Sequence, residues 1–301
     1  MSGTPETPAD PVAPPDGAAF EVLRPVAQTA PLVLASPHSG RDYPAEFTAI
    51  ARLEGAALRR SEDSFVDELF AAGPGCGAPL IRALIPRAYV DLNREPYELD
   101  PAMFEDALPP WVNAHSPRVR AGLGTIARVV ADGAEIYRGK LRFADAERRI
   151  KRCYEPYHAA LAELIRATEA AFGFAVLLDC HSMPSVGGPI DRDPGAARAD
   201  IVLGDRFATS CHPSIAALVE RVLTQAGYVV RRNEPYAGGF TTQYYGRPHR
   251  GVHALQIEVK RSLYMDETRF EHGPGFAGVA ATMTRVIEAL AGATPMALAA
   301  E

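Results

Sequence analysis

Short apolar runs recur along the chain, and between them lie stretches whose apolar residues repeat at helical intervals. Leu32-Val33-Leu34-Ala35, Ala175-Val176-Leu177-Leu178 and Val252-His253-Ala254-Leu255-Gln256-Ile257-Glu258-Val259 read as buried strands. Shorter extended runs at 80–85, 88–92, 201–203 and 228–231 join them, with Pro86 suggesting a hairpin or two neighbouring strands. Helical spacing covers 53–72, where Leu58, Phe65, Val66, Leu69 and Phe70 share a face before Gly73-Pro74-Gly75 stops the helix. It covers 214–226 and 275–290 as well. The longest such pattern, 143–172, reads as two helices broken near Glu155-Pro156. Strands alternating with helices give an α/β fold, a mostly parallel sheet with helices on both faces.

Two stretches lack any period. Residues 1–18, rich in Pro, Ala and acidic residues, cannot build a core and read as a flexible leader to a single α/β domain over 19–295. Residues 95–139 hold several prolines and glycines, and so long an irregular stretch inside a domain is expected to cover or line a site.

Composition then narrows the function. The 301 residues are 47% apolar and carry a net charge of -6, enough to bury a full core but without the basic footprint of a nucleic-acid binder. No charged start followed by an apolar run marks a signal peptide, and no apolar stretch of about 18 residues marks a membrane span, so the expected compartment is the cytoplasm. Cys76, Cys153, Cys180 and Cys211 are scattered without metal-type spacing and read as reduced, mostly buried thiols. The oligomeric state stays open.

The candidate chemistry sits where strands end, the position at which open α/β sheets present their sites. His38 and His181 each follow a buried run and are flanked by turn formers, in Pro37-His38-Ser39-Gly40 and His181-Ser182-Met183-Pro184. A hydrolytic zinc site needs about three protein ligands, commonly two imidazoles and a carboxylate, with a position left for water. The carboxylate choices are Asp63 and Asp67, four apart on the expected helix, and Asp42. Asp179 is placed to orient an imidazole or to cap a backbone amide. Arg87, Asn93 and Arg94 form a multi-donor group suited to a carboxylate, or a salt-bridged loop tied to Glu95. Glu258 interrupts an apolar run, so it is either ion-paired, with Lys260 or Arg261, or held as a general base.

Pro37-His38-Ser39-Gly40, Val90-Asp91-Leu92-Asn93-Arg94, Asp179-Cys180-His181-Ser182, Asn233-Glu234-Pro235-Tyr236-Ala237-Gly238-Gly239 and Leu255-Gln256-Ile257-Glu258 with Leu263-Tyr264-Met265 together resemble the N-formylglutamate amidohydrolase family. The likeness runs from His38 to about 266. It implies the central mixed sheet of the zinc carboxypeptidases and aspartoacylases, and one catalytic zinc per chain. By position, His38 and His181 resemble the histidine ligands, Glu258 the catalytic glutamate, and Asn93-Arg94 with Arg87 the grip on a substrate carboxylate. The wider carboxypeptidase group takes its carboxylate ligand three residues after the first histidine, where this chain has Arg41. The carboxylate must then come from elsewhere, and the likeness of Glu62-Asp63-Ser64-Phe65-Val66-Asp67 to the family implies Asp63 as the ligand, with Asp67 and Asp42 as alternatives.

The resemblance further implies a second carboxylate contact from Arg138 and a small-molecule N-acyl amino acid substrate cleaved in histidine breakdown. Tyr157 and His158 read as packing, Thr241 and Thr242 as pocket wall or turn, and His212, His249 and His253 as surface or structural groups. Two rival functions remain at this level. One is a related metallo-amidase or carboxypeptidase-like hydrolase acting on another N-acyl group or a small peptide. The other is a non-catalytic carboxylate-binding protein of the same fold.

Overall fold

Seven strands form one mixed sheet in the computed structural model, which describes residues 17–130, 132–189, 191 and 193–293. They are β1 (Phe20–Leu23), β2 (Leu32–Ser36), β3 (Leu80–Ala83), β4 (Ala175–Met183), β5 (Ile201–Gly204), β6 (Val230–Arg232) and β7 (Val252–Lys260). Their order is β1-β3-β2-β4-β7-β5-β6. The central run β3-β2-β4-β7 is parallel, while β1 and β5 pair antiparallel to β3 and β7. All but two residues of the expected leader, 1–16, and the end of the expected domain, 294–295, lie outside the described residues.

Alternation along the strands builds both core layers, because successive side chains in a strand point to opposite faces. Val33, Ala35, Ala175, Leu177 and Ala254 pack on one face with Tyr157, Leu161 and Leu164 of the helix Glu155–Phe172. Leu32, Leu34, Val176, Leu178, Leu255 and Ile257 pack on the other, with the helices Pro213–Gln225 and Phe276–Ala291. On the first face the apolar rows of β4 and β7 change to Asp179 and His181, and to Gln256 and Glu258. These pair across the strands as Asp179 with Gln256 and His181 with Glu258. One end of an otherwise apolar face is thus polar, buried and rigidly framed.

The structure departs from the periodicity in three places. The expected helix over 53–72 is broken into single turns, Ala56–Arg59 and Val66–Leu69, with Phe65 in the left-handed region at φ 66°. Residues 88–92 form no strand, since the Tyr89 amide turns back to Pro86 O at 2.9 Å. The pattern over 143–172 does not break into two helices. Phe143–Arg149 continues through a π-helical turn, Ile150–Tyr154, into Glu155–Phe172, and the wider turn accommodates Pro156, which has no N–H to donate. Among the described residues no helix is long and apolar enough to cross a membrane.

Candidate metal centre and its cavity

Asp63 owes its position to the break in the expected helix. Its backbone N–H donates to His38 O at 3.0 Å, which ties the carboxylate to the turn that follows β2. Gly40 lets that turn pass close to the chain beyond β3, because a Cβ there would stand 2.0 Å from Ile85 O. His181 lies within β4, which runs on past the apolar residues to Met183.

The three side chains meet. Asp63 Oδ2 lies 3.3 Å from His38 Nδ1 and 3.0 Å from His181 Nδ1, and all three groups are buried. One ligand atom from each falls within 4.8 Å of the others. Around a tetrahedral ion with bonds of about 2.0–2.1 Å, ligand atoms stand roughly 3.3 Å apart. The two Asp63–imidazole spacings match this, and a bound ion would draw the wider-set imidazole nitrogens closer together. Each imidazole is anchored on its far side: His38 Nε2 is 2.7 Å from Asp91 Oδ1, and His181 Nε2 is 3.0 Å from Asp179 Oδ1. Carboxylates only accept, so His38 Nε2 donates to Asp91; His181 Nε2 lies 3.0 Å from both Asp179 Oδ1 and the Asn93 Nδ2 amide, and the Nδ1 atoms of both rings are turned toward Asp63. Asp63 Oδ1 accepts from Ser182 Oγ and from Arg261 Nη2, both at 3.2 Å, which leaves Oδ2 for the trio.

Such a cluster requires a cation, supplied either by protons on the imidazoles or by a metal. Burial opposes charge on His181, but Asp179, Asp63 and Glu258 outweigh it and hold its pKa well above the ordinary imidazole range. Burial likewise opposes charge on Asp63, and hydrogen bonds from His181 and His38 prevail, holding that carboxyl well below its usual range. A divalent ion bound at His181 Nδ1 would take the place of a proton on that ring. Zinc affinity is expected to rise with pH, with proton release on binding. Calorimetric titrations in buffers of different ionisation enthalpy measure that release, and buffer-independent heats would contradict it.

Glu258 shares the cavity with the trio and is also buried. Burial first, then the neighbouring carboxylates Asp63 and Asp179 against the pull of His181 and Arg87, push its pKa up to about 8. Gln256 Nε2 donates to Glu258 Oε1 at 2.8 Å, and Gln256 Oε1 accepts from Gly239 N at 2.7 Å, so the carboxylate is held in one orientation. Gly239 has no room for a side chain: a Cβ would stand 2.5 Å from Asn93 Nδ2. Gly239→Ala is expected to push Asn93 against His181 and Asp179 and lower zinc affinity about tenfold, the scale for disturbing groups that orient ligands. Equilibrium dialysis with zinc reads the change directly.

The arginine cluster is partly committed to the protein. Arg87 Nη2 donates to Asp91 Oδ2 at 2.8 Å, and its guanidinium feels both Asp63 and Glu258. Arg94 donates to Leu123 O and Asn93 O, both at 2.8 Å, leaving Nη2 at 3.6 Å from Asp91. Burial pushes the Arg94 pKa down to about 10, with Asp91 opposing and Arg87 and Arg118 assisting. Asn93 lines the cavity, and its amide is also committed within the protein. Its Oδ1 accepts from Thr241 N at 2.8 Å and its Nδ2 lies 3.5 Å from Asp179 Oδ2, so it braces the residues behind His181. Thr242 Oγ1 also donates to Asp179, at 3.2 Å.

Other expected groups fall outside the site. Arg138 is exposed, 3.4 Å from Glu54, and does not reach the cavity. Asp67 does not share a helix face with Asp63. It pairs with Arg82 at 3.0 Å, while Asp42 is exposed and Arg41 reaches Glu68 at 2.8 Å. His158 Nε2 donates to Leu92 O at 2.8 Å and supports the loop before Asn93. The sequence alone assigns no role to Gln256, Arg118, Arg198 or Arg206 and offers Arg261 only as an ion-pair partner of Glu258, whereas Arg261 pairs with Asp63; all five line the cavity of about 550 Å³. The polar interruption at Gln256 within an apolar strand was a usable signal; the arginines lie in loops without pattern.

A family profile described as N-formylglutamate amidohydrolase matches residues 30–265. The chain belongs to that family. The N-formylglutamate deformylase of Pseudomonas aeruginosa is 31% identical over 241 residues, covering 79% of this chain and 83% of the relative. A crystal structure named N-formylglutamate amidohydrolase, from Ralstonia eutropha JMP134, is 40% identical, covers 91% of this chain and 97% of its own, and superposes with a TM-score of 0.84. A protein from Agrobacterium tumefaciens shares the fold at 20% identity, with a TM-score of 0.65 over 91% of this chain and 95% of its own. As an N-formylglutamate amidohydrolase family member the chain is an enzyme, a hydrolase acting on an amide.

Proposed function

We propose that this enzyme cleaves N-formyl-L-glutamate, or a closely similar N-acyl amino acid, to formate and glutamate, using one zinc ion held by His38, Asp63 and His181. The observation that carries the reading is the convergence of two anchored imidazoles and one buried carboxylate beside Glu258 in a single cavity. When bound there, zinc supplies Lewis acidity, polarising the amide carbonyl and lowering the pKa of a water toward ~7.

The chain's own residues do the rest. Glu258, fixed by Gln256, takes the proton of the attacking water and returns it to the departing amine nitrogen. Arg87, beside both Asp63 and Glu258, donates to the oxygen on which negative charge develops. Arg94 Nη2 holds the α-carboxylate of the substrate, with Asn93 bracing the wall behind it. A cytoplasmic setting and a place in histidine breakdown accompany the same reading.

Assays of the purified enzyme on N-formyl-, N-acetyl- and N-carbamoyl-L-glutamate test it. The expected result is a marked formyl preference, loss of turnover after chelation, and recovery with zinc. Turnover that survives complete chelation would overturn the zinc, and an absent formyl preference would overturn the substrate.

A further inference from the structure

Most arginines in the cavity have an acidic partner. Arg87 and Arg94 flank Asp91, Arg261 faces Asp63, and Arg198 holds Asp191 at 2.6 Å and Asp193 at 2.9 Å. Arg118 and Arg206 line the same cavity and have no ion pair among the described residues. We infer that Arg118 and Arg206 form a subsite for a second carboxylate, through which the enzyme selects N-acyl amino acids that carry an acidic side chain. This inference rests on the proposed deformylase reading and names the group that recognises the substrate's far end.

Arg206 is held firmly in position. It lies two residues beyond β5, whose last residue, Gly204, stands opposite Gln256 on β7. Arg206, Phe207 and Ala208 are all left-handed, with φ of 51°, 57° and 63°. Residues with a Cβ keep that conformation only where their surroundings over-determine it. Here Asn233 Oδ1 accepts from the amides of Asp205 and Phe207, Asp205 Oδ1 accepts from the amide of Ala208, and Arg206 N donates to Ala237 O at 2.9 Å. The guanidinium spends Nη1 on Gly238 O at 3.1 Å and keeps its other donors. Arg118 comes from the irregular segment, on a helical turn, Pro117–Arg120, capped by Ser116 Oγ accepting from Val119 N at 3.0 Å.

The two cations feel each other. Burial, and then the charge of Arg118, hold the Arg206 guanidinium below its ordinary range, and Arg118 acts on Arg94 in the same sense. Two guanidinium groups lining one cavity without an ion pair of their own repel, and a bound carboxylate relieves that repulsion through charge-assisted hydrogen bonds. With the amide at the metal trio, a substrate of glutamate length offers its second carboxylate as the relieving anion.

The test compares N-formyl-L-glutamate with N-formyl-L-glutamine, which replaces the side-chain carboxylate by an amide of the same shape. Arg206→Met and Arg118→Met are each expected to lower kcat/KM for formylglutamate by about 30-fold, chiefly through KM, the scale of a lost charged hydrogen bond. Turnover of formylglutamine should stay within about threefold. Equal losses on both substrates, or no loss on either, would overturn the subsite. The two arginines lie on separate segments, so if one variant does not fold the other gives the same reading. Inhibition of the wild-type enzyme by glutarate against butyrate supplies a second measurement, with glutarate expected to bind more tightly and equal inhibition counting against the subsite. A wild-type enzyme that hydrolyses no N-formyl amino acid would defeat the deformylase reading instead, and the glutarate comparison would still judge the arginine pair.

Discussion

Replacing Glu258 with Gln is expected to lower kcat on N-formylglutamate by about 10³-fold, within the range for a positioned general base, while zinc content stays at the wild-type level. The amide has the size of the carboxylate and its oxygen can accept the hydrogen bond from Gln256, so orientation survives and only the proton acceptor is lost. The same substitution is expected to stabilise the metal-free protein. Glu258 has a raised pKa, about 8, so the folded state binds a proton that the unfolded state releases above the ordinary glutamate range. Its unfavourable contribution is absent below that range and grows as pH rises toward 8. Thermal unfolding in chelator should therefore show Glu258→Gln above wild type at pH 8 and level with it near pH 4. A variant that kept wild-type kcat would remove Glu258 from the reaction.

Asp63→Asn is expected to weaken zinc binding by roughly 10³-fold and to abolish turnover at ordinary zinc concentrations, because the ligand set loses its only charge. The cost extends to the fold. Arg261 and two imidazoles lose a shared buried carboxylate, and removing one partner from a buried charge cluster costs about 3 kcal/mol or more. Asp67→Asn is the control. That side chain sits against Arg82 and Arg41, and its replacement should leave zinc affinity unchanged. Competition with a chromophoric chelator measures both variants, and a loss of zinc in Asp67→Asn alone would exchange the two assignments.

The sheet was legible because its central strands are buried on both faces and spell continuous apolar runs. The interruptions within those runs marked the candidate site: Asp179 and His181 on β4, Glu258 on β7. The helix expected over 53–72 failed for a reason that serves the site. Its apolar spacing is real, but Phe65 adopts a left-handed backbone that ends one turn and starts another, and this turns Asp63 inward while Asp67 faces Arg82. Periodicity cannot report such a kink, because the apolar residues on either side stay buried. Residues 88–92 looked extended for a similar reason, since Val90 and Leu92 are core residues of a turn that delivers Asp91 to His38. Arg118 and Arg206 left no trace in the pattern, because loop residues converge through tertiary structure alone. Arg138 shows the reverse, a charged residue near the right segment whose side chain turns out to solvent.

The central claim is that His38, Asp63 and His181 together hold one metal ion. Anomalous diffraction at the zinc edge from zinc-loaded crystals tests it most directly. The account predicts a single strong peak bonded to His38 Nδ1, Asp63 Oδ2 and His181 Nδ1. An empty trio in crystals that hold zinc elsewhere, or an ion at this place that Asp63 does not touch, would contradict it.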